Sequence, residues 1–454
     1  MTAAAITVSL ALIVLGLAQL PFVVQLALVL RRAARRHRED TSSRTTARND
    51  ELGDAGRSIV RDAGPIAESK PQPYEPRVAV ILCLRGSDPF LADCIRALLD
   101  QDYRAYDVHI VIDHQDDPAW KIAGDVMASQ GASHVHLQTR QELRCSCSLL
   151  NTSLVQAIKQ LDNTYEVVVK CDADVIAHRT WLRELVRPLQ DDRVAACAGN
   201  RWYMPRDPTW GALIRYIWNV GAFVQMYYNH YTWGGSLALR MELLRRSDLL
   251  DRWLKALAED TSIYDEVHRQ GYRTCFVPSI VMVNRETCDL WQFYPWLKRQ
   301  LLLSRLYHSR WPIVIGHGLL LTGAIALGAG IFAAGLVTRQ WPSVAWAGGG
   351  LLAHWAVAVL LVGLLEHGVR TIVSARGENT RWLSAPTCLK LFLALPLTQL
   401  IYTLSLLQVV FMREVHWRGI DYVIHGPYQI RMREYSTYRA AGSSKDATET
   451  AASL

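Results

Sequence analysis

From Ile6 to Leu30 the chain reads ITVSLALIVLGLAQLPFVVQLALVL, without a single charged residue. A hydrocarbon core of about 30 Å takes about 20 apolar residues to cross as a helix, so this stretch predicts a transmembrane helix. The first charges come after it, in RRAARRHR from Arg31 to Arg38, whereas a cleavable signal peptide carries them in front. The positive-inside rule then puts the amino terminus outside and Arg31 onward in the cytoplasm.

Two further spans are expected at Ile313–Val337 and Ser343–Leu365, joined by TRQWP. A third apolar segment, Cys388–Met412, contains Lys390 and Pro396 and has arginines on both flanks: Arg370, Arg376 and Arg381 before it, Arg413, Arg418, Arg431 and Arg433 after it. A full crossing would leave one basic cluster outside. A re-entrant or interfacial hairpin with both ends cytoplasmic is therefore expected, with a true span as the alternative. These segments account for a hydrophobic content of 50% in 454 residues, and the net charge of +7 sits largely in juxtamembrane Lys and Arg facing anionic headgroups. No nucleic-acid motif accompanies that charge, so nucleic acid is not an expected partner. The nine cysteines are scattered and read as reduced cytosolic thiols.

Between the membrane segments the chain changes character twice. Residues 31–76 are basic and polar, with Gly, Ser and Pro, and are expected to form a flexible linker after a helix in residues 1–30. Residues 77–290 alternate short apolar runs with helical stretches: VAVILCL at 78–84, YDVHIVID at 106–113, HVHLQ at 134–138 and EVVVKC at 166–171. Continuous Val/Ile runs separated by helices indicate a parallel sheet buried on both faces. An interfacial helix is expected at 291–312, two membrane helices over 313–365, a cytoplasmic loop and the uncertain segment at 366–416, and a cytoplasmic tail at 417–454.

Parallel sheets bind ligands beyond the carboxyl ends of their strands. Here those ends are polar: Arg85, Gly86, Ser87 and Asp88 after the first strand, Asp113, Asp116 and Asp117 after the second, Asp172 and Asp174 after the fourth. Two aspartates one residue apart suit Mg²⁺ or Mn²⁺ holding a phosphate, or else a turn and helix cap. Several carboxylates in one crevice repel unless a cation neutralises them, which favours a metal-bound diphosphate.

In order, RGSDPFLADCIRALLDQDY (85–103), VIDHQDDPAW (111–120), VVVKCDADV (167–175), WGGSLALR (233–240) and LAEDTSIYDEVHRQGYR (257–273) resemble family 2 membrane glycosyltransferases, closest to the ceramide glucosyltransferase-like branch. The likeness runs from about Pro76 to Arg310, with a weaker echo in WRGIDYVI at 417–424. It implies an α/β fold, a GT-A-type, Rossmann-like cytoplasmic domain joined to transmembrane helices. The resemblance also implies that the chain is an inverting hexosyltransferase, with a nucleotide-sugar donor (UDP-linked by preference), a membrane lipid acceptor and Mg²⁺ or Mn²⁺ as cofactor. The protein would be multi-pass, in a bacterial inner membrane or its equivalent.

Carried over residue by residue, the resemblance makes Asp260 the general base with Glu259 beside it, Asp172 a nucleotide contact and Asp174 the metal ligand, with Asp172 also close to the metal. Arg85 and Asp113, with Asp116 and Asp117 as rivals of Asp113, fall on the nucleotide side. Trp233, Gly234 and Gly235 fall on the acceptor side, where glycine lets the backbone approach closely. His230 is the best placed of the lone histidines, any of which is otherwise structural. The family's Gln/Arg-x-x-Arg-Trp stretch is imperfect: the nearest match, Gln292–Trp296, has Pro295 in place of arginine. Gln292 would reach the diphosphate and Trp296 the acceptor, while Arg299, Gln300 or Arg305 could restore the missing charge. A lysine common before the third helix is also missing, with Leu149 and Leu150 at that place. Two alternatives stay open: a processive polysaccharide synthase of the same superfamily, and a non-catalytic membrane binding protein that retains the fold.

Overall fold

The computed structural model describes residues 1–54 and 74–438, residues 40–54 by their backbone alone. Seven strands form one sheet: β1 (Val78–Leu84), β2 (Tyr106–Ile112), β3 (Val135–Thr139), β4 (Val167–Cys171), β5 (Val194–Tyr203), β6 (Ser236–Arg240) and β7 (Arg273–Asn284). Their order is β3-β2-β1-β4-β6-β5-β7. β1 pairs in parallel with β2 and β4, and β2 with β3, as uninterrupted Val/Ile runs buried on both faces require. β6 alone runs antiparallel to both its neighbours, β4 and β5, and it brings the chain back so that Trp233 to Ser236 meet the end of β4. β1, β2 and β4 therefore all deliver their carboxyl ends to one edge.

Among the described residues four helices are long and apolar enough to cross a membrane, which suggests membrane association: Thr2–Glu39, Trp311–Val337, Trp341–Ala375 and Ala385–Phe411. The first is two helices, Thr2–Leu17 and Leu20–Asp54, not the single helix expected over Ile6–Leu30. Pro21 has no N–H to give and its ring opposes the carbonyl of Leu17, so the ladder breaks there. The second part continues through Arg31–Arg38 to Asp54, where a linker was expected, because the Ala- and Arg-rich run sustains a helix already nucleated by the apolar segment. The rest of that expected linker, residues 55–73, lies outside the described residues.

The amino-terminal pair, Trp311–Val337 and Trp341–Ala375 pack as a bundle through small residues. Gly350 lies against Ser9, whose hydroxyl donates to the Trp346 carbonyl at 2.6 Å, and Gly328 lies against Leu12 and Leu351. Close backbone approach of this kind is how helices associate where water supplies no hydrophobic drive. Trp341–Ala375 then continues beyond Leu365 onto the sheet, where Arg376 donates to the Val281 carbonyl at 3.1 Å. Leu361, Leu365 and Val369 share one apolar core with Trp202, Tyr203 and Phe293 of the α/β unit, so helices and sheet are packed together as one body.

The segment at 388–412 is no hairpin. Ala385–Phe411 is one uninterrupted helix that carries Pro396 within it. Beyond it the expected tail folds into a second, antiparallel sheet of β8 (Glu414–Trp417), β9 (Ile420–Gly426) and β10 (Gln429–Met432). Arg418 and Gly419, both at positive φ (51° and 76°), make the tight turn between β8 and β9 and aim that turn at the edge where β1, β2 and β4 end.

Candidate active site

The strand ends, the β8–β9 turn and the helix Leu290–Tyr307 enclose a cavity of about 170 Å³. Six carboxylates line it: Asp88, Asp113, Asp172, Asp174, Glu259 and Asp260. Five have cationic partners. Asp113 is bound by Arg85 and by Arg140, the latter at 2.8 Å. Arg418 grips both oxygens of Asp88 at 2.9 Å, and Arg201 holds Asp174 Oδ2 at 2.6 Å. Lys170 lies between Asp172, at 2.6 Å, and Glu259, at 2.9 Å, and donates to the Gly234 carbonyl at 3.1 Å. Protein cations, and not a metal alone, thus answer the repulsion expected among the strand-end carboxylates.

Asp260 has no ion-pair partner among the described residues. Its Oδ2 accepts from the Gly234 N–H at 3.0 Å and its Oδ1 from the Thr261 N–H at 2.7 Å. Burial, then the Glu259 charge, raise its pKa to about 7, against the pull of Lys170 and the Gly234 N–H. Lys170 itself stays cationic: burial opposes its charge, but Asp172 and Glu259 hold its pKa well above the usual lysine value. A carboxylate with a pKa near neutrality, facing a cavity, is suited to accept a proton.

Arg299 is the complementary case. It is buried in the cavity wall, 5.1 Å from the Trp417 ring centroid, with no carboxylate in salt-bridge contact among the described residues. Burial and the neighbouring Arg418 and Arg201 charges push its pKa down to about 9. An anion placed among these three guanidinium groups would relieve that repulsion, and a diphosphate has the charge to do it.

A divalent cation has a place on the same side. Among the described residues Asp174 Oδ1 is buried with no hydrogen-bond partner, and burial raises the Asp174 pKa to about 6 although Arg201 opposes the rise. An orphaned carboxylate oxygen beside a second carboxylate, Asp172, is a fit donor set for Mg²⁺ or Mn²⁺, which need one or two protein carboxylates when phosphates supply the other oxygens. Among the described residues no cluster of three or more His, Cys, Asp or Glu forms a self-sufficient metal cage.

Trp233 and Trp296 also line the cavity, with Arg201 packed over both rings at 5.1 and 5.7 Å. Gly234 has a steric reason to be glycine, since a Cβ there would overlap the Glu259 carboxylate and the Lys170 ammonium; at Gly235 it would overlap the Trp233 ring. Leu149 and Leu150 line the cavity where a lysine was sought, and the local ammonium comes instead from Lys170 on β4.

Five expected residues lie elsewhere. Gln292 completes a capping box with Asp289 at the start of its helix, accepting from the Asp289 N–H at 3.0 Å, too far along the helix to reach the cavity that Arg299 lines. Arg305 is on the opposite face and donates to the carbonyls of Val410 and Met412, the latter at 2.8 Å. Asp116 is an exposed loop residue beside His114. His230 ends the helix Trp210–Asn229 in the left-handed region, φ 58°, and stacks on Tyr264. Asp117 is structural: it caps Pro118–Gln130 through the Ala119 N–H at 2.9 Å and accepts from the Gly86 N–H at 2.8 Å, holding the β1 loop in place.

Sequence reasoning gave no site role to Lys170, Arg201, Trp417 or Arg418, and it counted Asp88 only among the polar strand ends. Lys170 left a signal, as a lone cation inside an otherwise apolar strand. Arg201 left none, because β5 was not recognised as a strand.

The glycosyltransferase family 21 model matches residues 55–429. No curated protein matches the chain. Among solved structures, the mannosyltransferase PcManGT of Pyrobaculum calidifontis, in complex with GDP-Man and Mn²⁺, is similar at 19% identity, with 78% of this chain and 99% of that chain covered and a TM-score of 0.44. The glucosyl-3-phosphoglycerate synthase of Mycobacterium tuberculosis, in complex with Mn²⁺, UDP and glucosyl-3-phosphoglycerate, is similar at 14% identity, with 50% and 80% covered and a TM-score of 0.31. The motifs resemble family 2, whereas the model that matches is that of family 21 and covers most of the chain, which thus belongs to glycosyltransferase family 21 and is a glycosyltransferase.

Proposed function

We propose that this glycosyltransferase moves a hexose from a nucleotide sugar, UDP-linked by preference, to the hydroxyl of a membrane lipid of ceramide-like character, with inversion at the anomeric carbon. The observation that carries this reading is the pair Asp260 and Arg299. Among the described residues one is a carboxylate without a cation and the other a cation without a carboxylate in contact, and both face one cavity.

Asp260 takes the acceptor's hydroxyl proton as that oxygen attacks C1 of the sugar, and the C1–O bond to the diphosphate breaks on the opposite face. Arg299, with Arg418 and Arg201, receives the charge that develops on the departing diphosphate. Asp174 and Asp172 would hold a divalent cation, which when bound neutralises the same charge. Asp113, fixed by Arg85 and Arg140, is placed for the nucleoside at the far end of the strand row. Trp233, Trp296 and Leu303 give the acceptor an apolar wall.

The helices support a lipid acceptor, since the helix Leu290–Tyr307 that lines the cavity leads directly into the apolar helix Trp311–Val337. The catalytic unit lies on the side of the positively charged segments, which is the cytoplasmic side by the positive-inside rule. The test is expression in a host that lacks such glycolipids, with mass-spectrometric identification of new products in wild type and in Asp260→Asn. A single glycosylated lipid, absent in the variant although donor binding persists, supports the reading. A long sugar polymer, or no product across a panel of donors and lipids, rejects it.

A further inference from the structure

The helix Ala385–Phe411 has the length and apolarity of a membrane span, yet both of its ends are tied to the catalytic unit. Before it, Trp382 donates to Glu366 Oε1 at 2.8 Å, and the other oxygen of that carboxylate accepts from Trp202 on β5, at 2.9 Å, and from Tyr216, at 3.0 Å. After it, Arg305 holds the Met412 carbonyl at 2.8 Å, and within a few residues Arg418 is inside the cavity. Twenty-seven helical residues extend about 40 Å. A helix of that length that crossed a core of about 30 Å would carry its two ends to opposite faces, and one water-soluble unit could not bind both.

The side chains agree. Leu389, Leu393, Leu400, Leu404, Leu407 and Phe411 follow one another at spacings of three, four and seven and are 45 to 82% exposed, forming one stripe along the helix. The opposite face, with Ala394, Thr398, Ile401 and Val409, is buried against the α/β unit. Contact with the spanning helix Trp311–Val337 covers two turns, where Thr403 meets Thr322 at 2.6 Å, Gln399 donates to Thr322 at 2.7 Å, and Leu406 and Tyr402 lie against Gly318.

We infer that Ala385–Phe411 lies in the plane of the leaflet facing the catalytic unit and rests its leucine stripe on lipid, with only the amino-terminal pair, Trp311–Val337 and Trp341–Ala375 crossing. The occupant of the stripe is lipid because the helix that carries it is apolar enough to cross a membrane, and the neighbouring helix Trp311–Val337 likewise exposes Leu319, Leu320 and Leu327. Arg381 and Arg413 flank it at the two ends, and Lys390 lies beside it, at the level of anionic headgroups. This placement rests on the membrane reading above, and it makes the helix a floor between catalytic cavity and bilayer.

The test uses the full chain in vesicles of neutral and anionic phospholipid, with the exposed cysteines removed (Cys145→Ser, Cys388→Ser) and nitroxide labels introduced one at a time through Leu389→Cys, Leu400→Cys, Leu407→Cys and, as a control, Leu327→Cys. Accessibility to oxygen against a water-soluble relaxant gives the depth of each label. The expected result is one shallow depth for Leu389, Leu400 and Leu407 and a deep position for Leu327. Depths that differ by roughly 27 Å between Leu389 and Leu407, at 1.5 Å per residue, would show a crossing and overturn the inference. Labels on the stripe that meet only the aqueous relaxant while Leu327 remains deep would also overturn it. Loss of lipid contact at Leu327 as well would overturn the membrane reading itself.

Discussion

The backbone N–H of Gly234 donates to Asp260 Oδ2 at 3.0 Å, so the loop that follows Trp233 also sets the orientation of the carboxylate that would take the proton. Gly234→Ala should break this arrangement. The new methyl overlaps Glu259, which is buried and held by Lys170 and so cannot swing away. A displacement of about 1 Å at a reacting group costs on the order of 10²-fold, so kcat should fall by about that factor with the fold retained. Steady-state kinetics beside circular dichroism checks it.

The pH dependence follows from the raised Asp260 pKa. The base must be unprotonated, and its pKa is about 7, so kcat/KM should rise with pH through about 7 and level off above it. Lys170 lowers that pKa, so Lys170→Met should move the rising limb to higher pH. Asp260→Asn should lower kcat by roughly 10² to 10⁴-fold and remove the limb. A flat wild-type profile from pH 5.5 to 8.5 would contradict the assignment.

Two arginines on one helix should separate cleanly. Arg299→Ala removes a cavity guanidinium and should reduce kcat/KM by about 10² to 10³-fold and weaken nucleoside diphosphate binding. Arg299→Lys should restore only part of this, because an ammonium lacks the planar fork. Arg305→Ala touches only the carbonyls of Val410 and Met412 and should leave donor KM within about twofold. Isothermal titration with UDP and initial rates distinguish the two.

Chelation should silence the enzyme, and Mn²⁺ or Mg²⁺ should restore it. Asp174→Asn keeps the size of the side chain but removes the charge of the orphaned oxygen, so it should raise the metal concentration needed for half-maximal activity by tenfold or more. Metal titration of chelated protein reads this directly. Equal activity with and without chelator would reject metal dependence.

Glu366 predicts a stability effect rather than a catalytic one. Its carboxylate accepts from Trp202, Tyr216, Trp382 and Arg370. Glu366→Ala strands several buried donors at once and should cost about 3 kcal/mol. Thermal unfolding in detergent would show a clear drop in Tm, with kinetic constants of the surviving fraction near those of wild type.

The half of the sheet made by β1, β2, β3 and β4 was legible because parallel strands buried on both faces leave unbroken Val/Ile runs, as in VAVILCL and EVVVKC. β6 was not, since SLALR is short and antiparallel, and β5 hid its role because AACAGN is made of small residues. The acidic strand ends could be read as a set, but their partners could not: Arg418 reaches Asp88 across 330 positions of sequence, a distance no local pattern encodes. Asp117 and Gln292 show the converse limit. Both are polar residues at helix starts, where each takes part in capping its helix. The absence of a hairpin at Pro396 has the same origin, since packing against the α/β unit holds the helix straight through a residue that would weaken it in isolation.

Trp417, Arg418 and Tyr422 form one wall of the cavity, and they are translated after every membrane helix. The emerging polypeptide therefore has its carboxylate row, its DAD pair and Asp260 long before it has the guanidinium that clamps Asp88. Until the β8–β9 turn docks, the half-built cleft stands open on that side. The wall that Arg418 closes is thus the last part of the cavity to be synthesised, after the four apolar helices.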